Sequence, residues 1–417
     1  MLAIPVGSPF SVNNLPFGIG RHGNNSPQAW VALGNQALDV SGLAKDGFFD
    51  SKIVEQSVLV NAFAEDSLNS FIALGPAVWS HVRMTLQKEI LANEFSAILG
   101  SHAVEISKLE MQLPVVIGDY VDFYSSIHHA TNLGRLFRPD GEALLPNWRH
   151  IPVGYHGRAG TIVVDGSDIR RPSGVRLDEG QPVFGPTRSL DIELEVGAIV
   201  GREIRSVTGV TATNAEDYLF GICLVNDWSA RDIQAFEYQP LGPFLGKSFA
   251  TSMSSWIVTF DALVPFRVES PQQEPEPAAY LRGPRQGGLD LWLEVLFESR
   301  AMRESGIEPK VISSNNFGDM YWTFAQQLAH VVANGATARV GDLIASGTVS
   351  GPTPGSEGSF IELSWRGTRP ISMPDGTVRS FLEDGDRVTL RGWAGSDPNT
   401  RIGLGSVSGL IVGDGGN

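Results

Sequence analysis

A β-rich, mixed α+β fold follows from two features of this 417-residue sequence. Short runs alternate apolar and polar residues at period two, each closed by Gly, Pro, Asp or Asn, which is the pattern of half-buried strands. The 47 glycines and 25 prolines are spread along the whole chain and supply the many tight turns that such strands require.

Taken in order, the segments up to about residue 115 are mixed. QAWVALGNQALDV predicts a hairpin, and DSLNSFIALGPAVWSHVRMTLQKEILANE predicts helices interrupted at Gly75-Pro76, because proline has no N–H to give the ladder. LEMQLPVVIGDYVDF then opens a strand-dominated region. GTIVVDGSDIRRP, LDIELEVGAIVG, FGICLVND, SWIVTFDAL, LDLWLEVLFESR, IELSWRG and DRVTLRGW each predict a strand. Two helices interrupt it, one at about Trp228–Tyr238 and one in DMYWTFAQQLAHVVANG, which ends on Gly335 as a helix C′ residue. The Pro-rich VESPQQEPEPAAYLRGP predicts a surface loop. Single cores rarely grow past about 250–300 residues, so two domains are expected, 1–115 and 116–417.

Charge and cysteine content exclude several classes of function. With 31 Lys+Arg against 46 Asp+Glu the net charge is −15, which repels nucleic-acid phosphates and anionic membrane surfaces. The lone Cys223 permits no intramolecular disulfide and no thiolate cluster for structural zinc, and it fits the reducing cytoplasm. The start, MLAIPVGSPFSVNN, lacks the basic and apolar blocks of a secretory signal, and no run reaches the roughly 20 apolar residues of a membrane span. GxxxxGK[ST] and GxSxG are both absent, so phosphate-loop and serine-elbow chemistry lose their signatures. Cys223, inside FGICLV, reads as a buried structural thiol.

Three clusters carry candidate chemistry. On a strand through DIELEVG, Asp191, Glu193 and Glu195 all point to one face. Glu193 and Glu195 are then about 7 Å apart and can share a hard cation, although a solvated strand face would show the same alternation. In NDWSARDIQAFEYQP, a helix from about residue 228 would align Asp227, Arg231, Gln234 and Tyr238 at i, i+4, i+7 and i+11. That is a carboxylate, a guanidinium, an amide and a phenol in one stripe, suited to a metal and a carboxylate-bearing substrate, or to an ordinary exposed face with Asp227 as its cap. Lys247 follows among glycines and apolar residues, as either a snorkelling surface lysine or a buried cation. In DYVDFYSSIHHATN, Asp122 and Tyr124 share a face if the strand continues, and His128-His129 is the only adjacent pair among eight histidines. Imidazole is the side chain suited to proton transfer near neutrality. If the pair lies in an extended segment, its two rings point to opposite sides. His330, within an apolar helix, reads as a packed and satisfied side chain.

The segments DFYSSIHHATNLGRLFR, LPNWRHIPVGYHGRAGTIVVDG, LDIELEVG, NDWSARDIQAFEYQPLGPFLGKSF, DMYWTFAQQLAHVVANG, GDLIASGTVSGP and ELSWRGTRPI resemble, in order and spacing, the longer branch of the fumarylacetoacetate hydrolase superfamily. The resemblance implies a small SH3-like N-terminal barrel followed by a mixed β-roll, assembled as a homodimer. It implies metal-dependent hydrolysis of the carbon–carbon bond of a small dicarboxylate, 4-fumarylacetoacetate, at the end of tyrosine and phenylalanine catabolism. Asp122, Glu193, Glu195 and Asp227 match ligands of a divalent ion, Mg²⁺ or Ca²⁺, with Lys247 and Thr251 beside it. His129 matches the general base and Glu362 the carboxylate that orients it. Tyr124, Arg138, Gln234, Tyr238 and Thr348 match substrate contacts, and Arg231, Gln234 and Lys247 match groups that stabilise developing negative charge. His128 departs from the family, which carries a different polar residue before the base. The nearest alternative is an acylpyruvate or fumarylpyruvate hydrolase, or a related oxo-acid lyase of the same superfamily; those usually lack the long N-terminal part.

Overall fold

The computed structural model describes residues 8–93, 96–205, 209–397 and 400–413. The first seven residues of MLAIPVGSPFSVNN therefore lie outside the described residues. A thirteen-stranded sheet forms the spine, in the order Ala103–Glu105, Gln36–Asp39, Gln28–Leu33, Phe17–His22, Trp256–Thr259, Leu219–Asp227, Leu194–Val200, Leu343–Ala345, Tyr120–Phe123 and Gly154–His156. Leu109–Gln112 adds to Phe17–His22, Thr251–Met253 to Leu219–Asp227, and Ile162–Val164 to Thr251–Met253. A second sheet of five strands contains Lys310–Asn316, Leu291–Glu298, Arg387–Ala394, Ile402–Val412 and Ile169–Arg170. The hairpin at Gln28–Asp39 and the helix break at Gly75-Pro76 are present as expected.

The spine is buried on both faces. From Leu194–Val200, Leu194, Val196 and Ala198 face a core built with Leu293, Val295, Leu390 and Val407 of the second sheet. Ile199, with Phe220, Cys223 and Val225 of the neighbouring strand, faces a second core built with Phe17, Phe71 and Trp79. Strands covered on both sides are apolar on both sides, which is why AIV and ICLV interrupt the alternation. A charged side chain on the central strands Leu194–Val200 and Leu219–Asp227 is therefore taken out of water.

Four local readings are corrected. The LDIELEVG strand is not continuous: Leu190–Asp191 pairs with Ser229–Ala230, and regular pairing resumes only at Leu194. Asp191 therefore does not share a face with Glu193 and Glu195. The helix expected from Trp228 begins at Arg231, because Asp227 still pairs with Thr251 and residues 229–230 are held in their own bridge. Asp227 is thus a strand end and not a helix cap. IELSWRG is not a strand but the short helix Phe360–Leu363 followed by a turn with Trp365 and Arg366 at positive φ. SWIVTFDAL leaves its strand at Thr259 for the helix Phe260–Leu263. The helix in DMYWTFAQQLAHVVANG spans Phe324–Val332 with a Thr323/Gln326 capping box, and Gly335 lies beyond its end at φ 97°. Among the described residues no helix is long and apolar enough to cross a membrane.

Candidate active site

The spine delivers four carboxylates to one point. Asp122 sits on Tyr120–Phe123, Glu195 on Leu194–Val200 with Glu193 just before it, and Asp227 at the end of Leu219–Asp227. All four are buried, and one oxygen from each lies within 4.8 Å of the others. A solvated strand face is therefore ruled out for Glu193 and Glu195. Tyr155 donates to Asp227 Oδ2 at 2.9 Å, and Thr251 donates to Asp227 Oδ1 at 3.1 Å.

Lys247 is buried, not snorkelling. Its loop is pressed onto the helix Arg231–Glu237 at Gly246, where a Cβ would stand 2.8 Å from the Gln234 backbone nitrogen, so only glycine fits. Glu237 holds this turn by accepting from the backbone of Phe244 at 2.8 Å and Gly246 at 2.7 Å. The ammonium then reaches Glu193 Oε2 and, at 2.5 Å, Asp227 Oδ2. Arg231 donates through Nε to Asp191 at 2.8 Å and approaches Glu193 Oε1 with Nη1 at 2.8 Å; the same Nη1 donates to Gln234 Oε1 at 3.1 Å.

These contacts divide the carboxylates electrostatically. Burial opposes ionisation of Glu193, but Lys247 and Arg231 outweigh it and hold its pKa at about 2. Glu195 and Asp122 are pushed well above the carboxylate range, each first by burial and then by the other acids around it. Both oxygens of Glu195 and Oδ1 of Asp122 are buried without a hydrogen-bond partner. Such atoms are costly unless something cationic meets them. Four oxygen donors with no thiolate or imidazole among them fit a hard divalent cation.

His129 is reached by a different local structure from the one expected. His128 and His129 are not extended but lie on the helix Ile127–Phe137, whose cap Ser126 accepts from the His129 backbone at 3.2 Å. Neighbours on a helix project about 100° apart. His129 is buried and lines the cavity; His128 is half-buried and does not. Nδ1 of His129 lies 2.7 Å from Glu362 Oε2, and Nε2 faces Glu193 Oε1 at 3.9 Å. Glu362 also receives Ser350 at 3.0 Å, Ser359 at 2.7 Å and Asn132 at 2.9 Å. Although burial opposes it, the His129 charge and these donors keep Glu362 below its ordinary range. Nδ1 faces a carboxylate oxygen and donates, so in the neutral imidazole the lone pair is on Nε2.

A cavity of about 390 Å³ opens over this array. Asp122, Glu193, Lys247, Arg231, Gln234 and His129 line it together with Tyr124, Arg138, Tyr155, Tyr238 and Thr348, and apolar side chains such as Leu133, Phe137 and Leu241 make up the rest of the wall. Tyr124 packs edge-on to His129, with ring centroids 5.2 Å apart. Arg138 is anchored by Ala143 O at 2.9 Å, and Thr348 Oγ1 is buried and unpartnered. Glu195, Asp227, Thr251 and Glu362 stand outside the lining: Glu195 and Asp227 cluster with Asp122 and Glu193, Thr251 bonds Asp227, and Glu362 bonds His129.

The family description "Fumarylacetoacetase N-terminal" matches residues 13–114, and "Fumarylacetoacetate (FAA) hydrolase C-terminal" matches residues 109–410. The chain belongs to the fumarylacetoacetase family. The fumarylacetoacetase of Arabidopsis thaliana is 44% identical over 421 residues, covering 98% of this chain and 97% of that protein. That of Homo sapiens is 43% identical over 422 residues, covering 99% of each. Among solved structures, the fumarylacetoacetate hydrolase of psychrophilic Exiguobacterium antarcticum superposes with a TM-score of 0.53 at 17% identity, over 96% of this chain and 99% of that one. Maleylpyruvate hydrolase from Sphingobium sp. SYK-6 does so at 0.51 and 15%, over 96% and 100%. Both are similar in fold.

Several family-site neighbours were not legible beforehand. Tyr155 lies in GYHGRAG, a glycine-rich stretch with no strand alternation to show which face its phenol takes. Asn132 follows His129 by three residues, a spacing that matters only once the segment is known to be helical. Ser350 and Ser359 lie near Glu362 in sequence, but serine there carries no signal until Glu362 is seen to be buried. Cys223 is buried with burial pushing its thiol upward, and His330 is partnered by Tyr280 at 2.9 Å, both as expected.

Proposed function

We propose that this chain hydrolyses the carbon–carbon bond of 4-fumarylacetoacetate, giving fumarate and acetoacetate, at the end of tyrosine and phenylalanine catabolism. The observation that carries the reading is the His129–Glu362 dyad opening into the same cavity as the four-carboxylate cluster, in a chain about as long as the fumarylacetoacetases it matches.

Cleaving a bond between two carbonyl groups needs an activated water, a held oxyanion and a stabilised carbanion leaving group. His129 Nε2 takes the proton from water, while Glu362 fixes the tautomer and offsets the imidazolium charge. Arg231, Gln234 and Lys247 supply donors toward the oxyanion and the leaving enolate. Asp122, Glu193, Glu195 and Asp227 would hold Mg²⁺ or Ca²⁺, with Lys247 and Thr251 alongside. When bound, that ion supplies Lewis-acid polarisation of the substrate's dicarbonyl oxygens. Arg138, Tyr124, Tyr238 and Thr348 orient the dicarboxylate, whose charge a protein of net −15 would otherwise repel.

We take the enzyme to be a cytoplasmic homodimer with an N-terminal domain over 1–115 and a catalytic domain over 116–417; the family descriptions, which meet near residue 114, support that division. The test is turnover of purified protein on fumarylacetoacetate against fumarylpyruvate, with and without chelator. Chelator-sensitive turnover that favours fumarylacetoacetate is expected; preference for fumarylpyruvate would overturn the substrate assignment.

A further inference from the structure

Asp191 is fully buried, lies outside the cation cluster and does not line the cavity. Its carboxylate is nonetheless completely used. Oδ1 accepts the backbone N–H groups of Ile192 and Phe360, each at 2.7 Å. Oδ2 accepts Ile361 N–H at 3.0 Å and Arg231 Nε at 2.8 Å. A carboxylate offers about four acceptor positions, and all are engaged.

The donors belong to different parts of the site. Phe360 and Ile361 open the short helix that carries Glu362, the partner of His129. Arg231, held at Nε, is left with Nη1 directed at Glu193 and Gln234. Asp191 itself is fixed by pairing of Leu190–Asp191 with Ser229–Ala230, immediately before Arg231. The base dyad and the anion-stabilising guanidinium thus share one anchor.

We propose that Asp191 is a positioning residue that sets Arg231 and the His129–Glu362 dyad in register with each other. This rests on the hydrolytic reading above. Asp191→Asn keeps the shape but offers a single acceptor oxygen, so its amide must face either Arg231 Nε or the helix N–H groups, and one tether breaks. A misplacement of about 1 Å costs on the order of 10²-fold in rate. Since Asp191 touches none of Tyr124, Arg138 and Tyr238, the loss should fall on kcat, with KM within about threefold. The loss from Asp191→Asn should also be smaller in the Glu362→Gln and Arg231→Lys backgrounds than in the wild type, because the three act together.

Asp191→Glu retains the charge while moving the carboxylate by one methylene, and it serves as the second variant where the asparagine form folds poorly. The same kcat-selective loss is expected; wild-type kcat in either folded variant, or full additivity with both backgrounds, would overturn the proposal. Crystal structures of the variants provide a readout that needs no turnover. Displacement of Arg231 or Glu362 supports the assignment even if fumarylacetoacetate proves not to be the substrate, whereas neither group moving refutes it.

Discussion

Replacing His129 and His128 separately with alanine probes the proton-transfer step most directly. His129 is buried, its Nδ1 is tied to Glu362 at 2.7 Å, and its Nε2 opens to the cavity. A general base contributes about 10²–10⁴-fold, or about 2.7–5.4 kcal/mol of barrier at 1.36 kcal/mol per tenfold. The preset tautomer places His129→Ala toward the upper half of that range, so kcat should fall at least about 10³-fold. The fold should survive, because Glu362 keeps Ser350, Ser359 and Asn132 as donors, and losing one partner of a buried group costs about 1–3 kcal/mol against a stability of about 5–15. KM should stay within about threefold, since Arg138 and Tyr238 are untouched. His128→Ala should leave both constants near wild type. Steady-state loss of the conjugated dione's ultraviolet absorbance measures all four values. Equal losses at the two positions, or a large loss at His128 alone, would refute the assignment of the base.

The cation site predicts that metal-stripped protein is inactive and melts lower, and that Mg²⁺ or Ca²⁺ at about 100 times Kd restores about 2.7 kcal/mol, read by calorimetry; full activity in chelator would sink the metal reading. Arg138→Ala should raise KM severalfold and steepen its salt dependence, and an unchanged KM would remove Arg138 from substrate binding. Glu362 titrates below its unfolded value of about 4.3, so its stabilisation is full above that pH and disappears as pH falls through the lower folded value. The melting-temperature gap between wild type and Glu362→Gln should therefore be widest near neutrality and close below about pH 4.3; a gap that widens on acidification would reverse the sign.

What could be read beforehand follows the range of the interactions involved. The Gln28–Asp39 hairpin, the stop at Gly75-Pro76 and the buried state of Cys223 depend on residues close in sequence, and local pattern sufficed. IELSWRG misled because its alternation is that of a strand, while its helix is held by Asp191, some 170 positions earlier, accepting the first two N–H groups. The stripe from Asp227 to Tyr238 had helical spacing, yet Asp227 ends a strand paired with Thr251, and the separate bridge of Ser229–Ala230 with Leu190–Asp191 delays the helix to Arg231. Glu193 and Glu195 had the right spacing for a shared cation, but their burial on a spine covered from both sides comes from helices and strands elsewhere in the chain. Residue types were thus visible where the tertiary partners that decide their state were not.

Glu193 shows why the cation site and the base cannot be tuned separately. Its Oε2 meets Lys247 within the carboxylate cluster, while its Oε1 faces Arg231 at 2.8 Å and His129 Nε2 at 3.9 Å. One side chain therefore belongs to the carboxylate cluster and also faces the His129–Glu362 dyad. The two cations that keep it ionised leave Glu195 and Asp122 uncompensated, so charge in the pocket is uneven: satisfied beside the base and unsatisfied at the floor. Asp122, Glu193, Glu195 and Asp227 would hold a divalent ion against that imbalance, and its attraction would act on the same Glu193 carboxylate that Arg231 and Lys247 restrain. Glu193 is thus the one side chain through which an ion held at the cluster would act on the His129–Glu362 dyad.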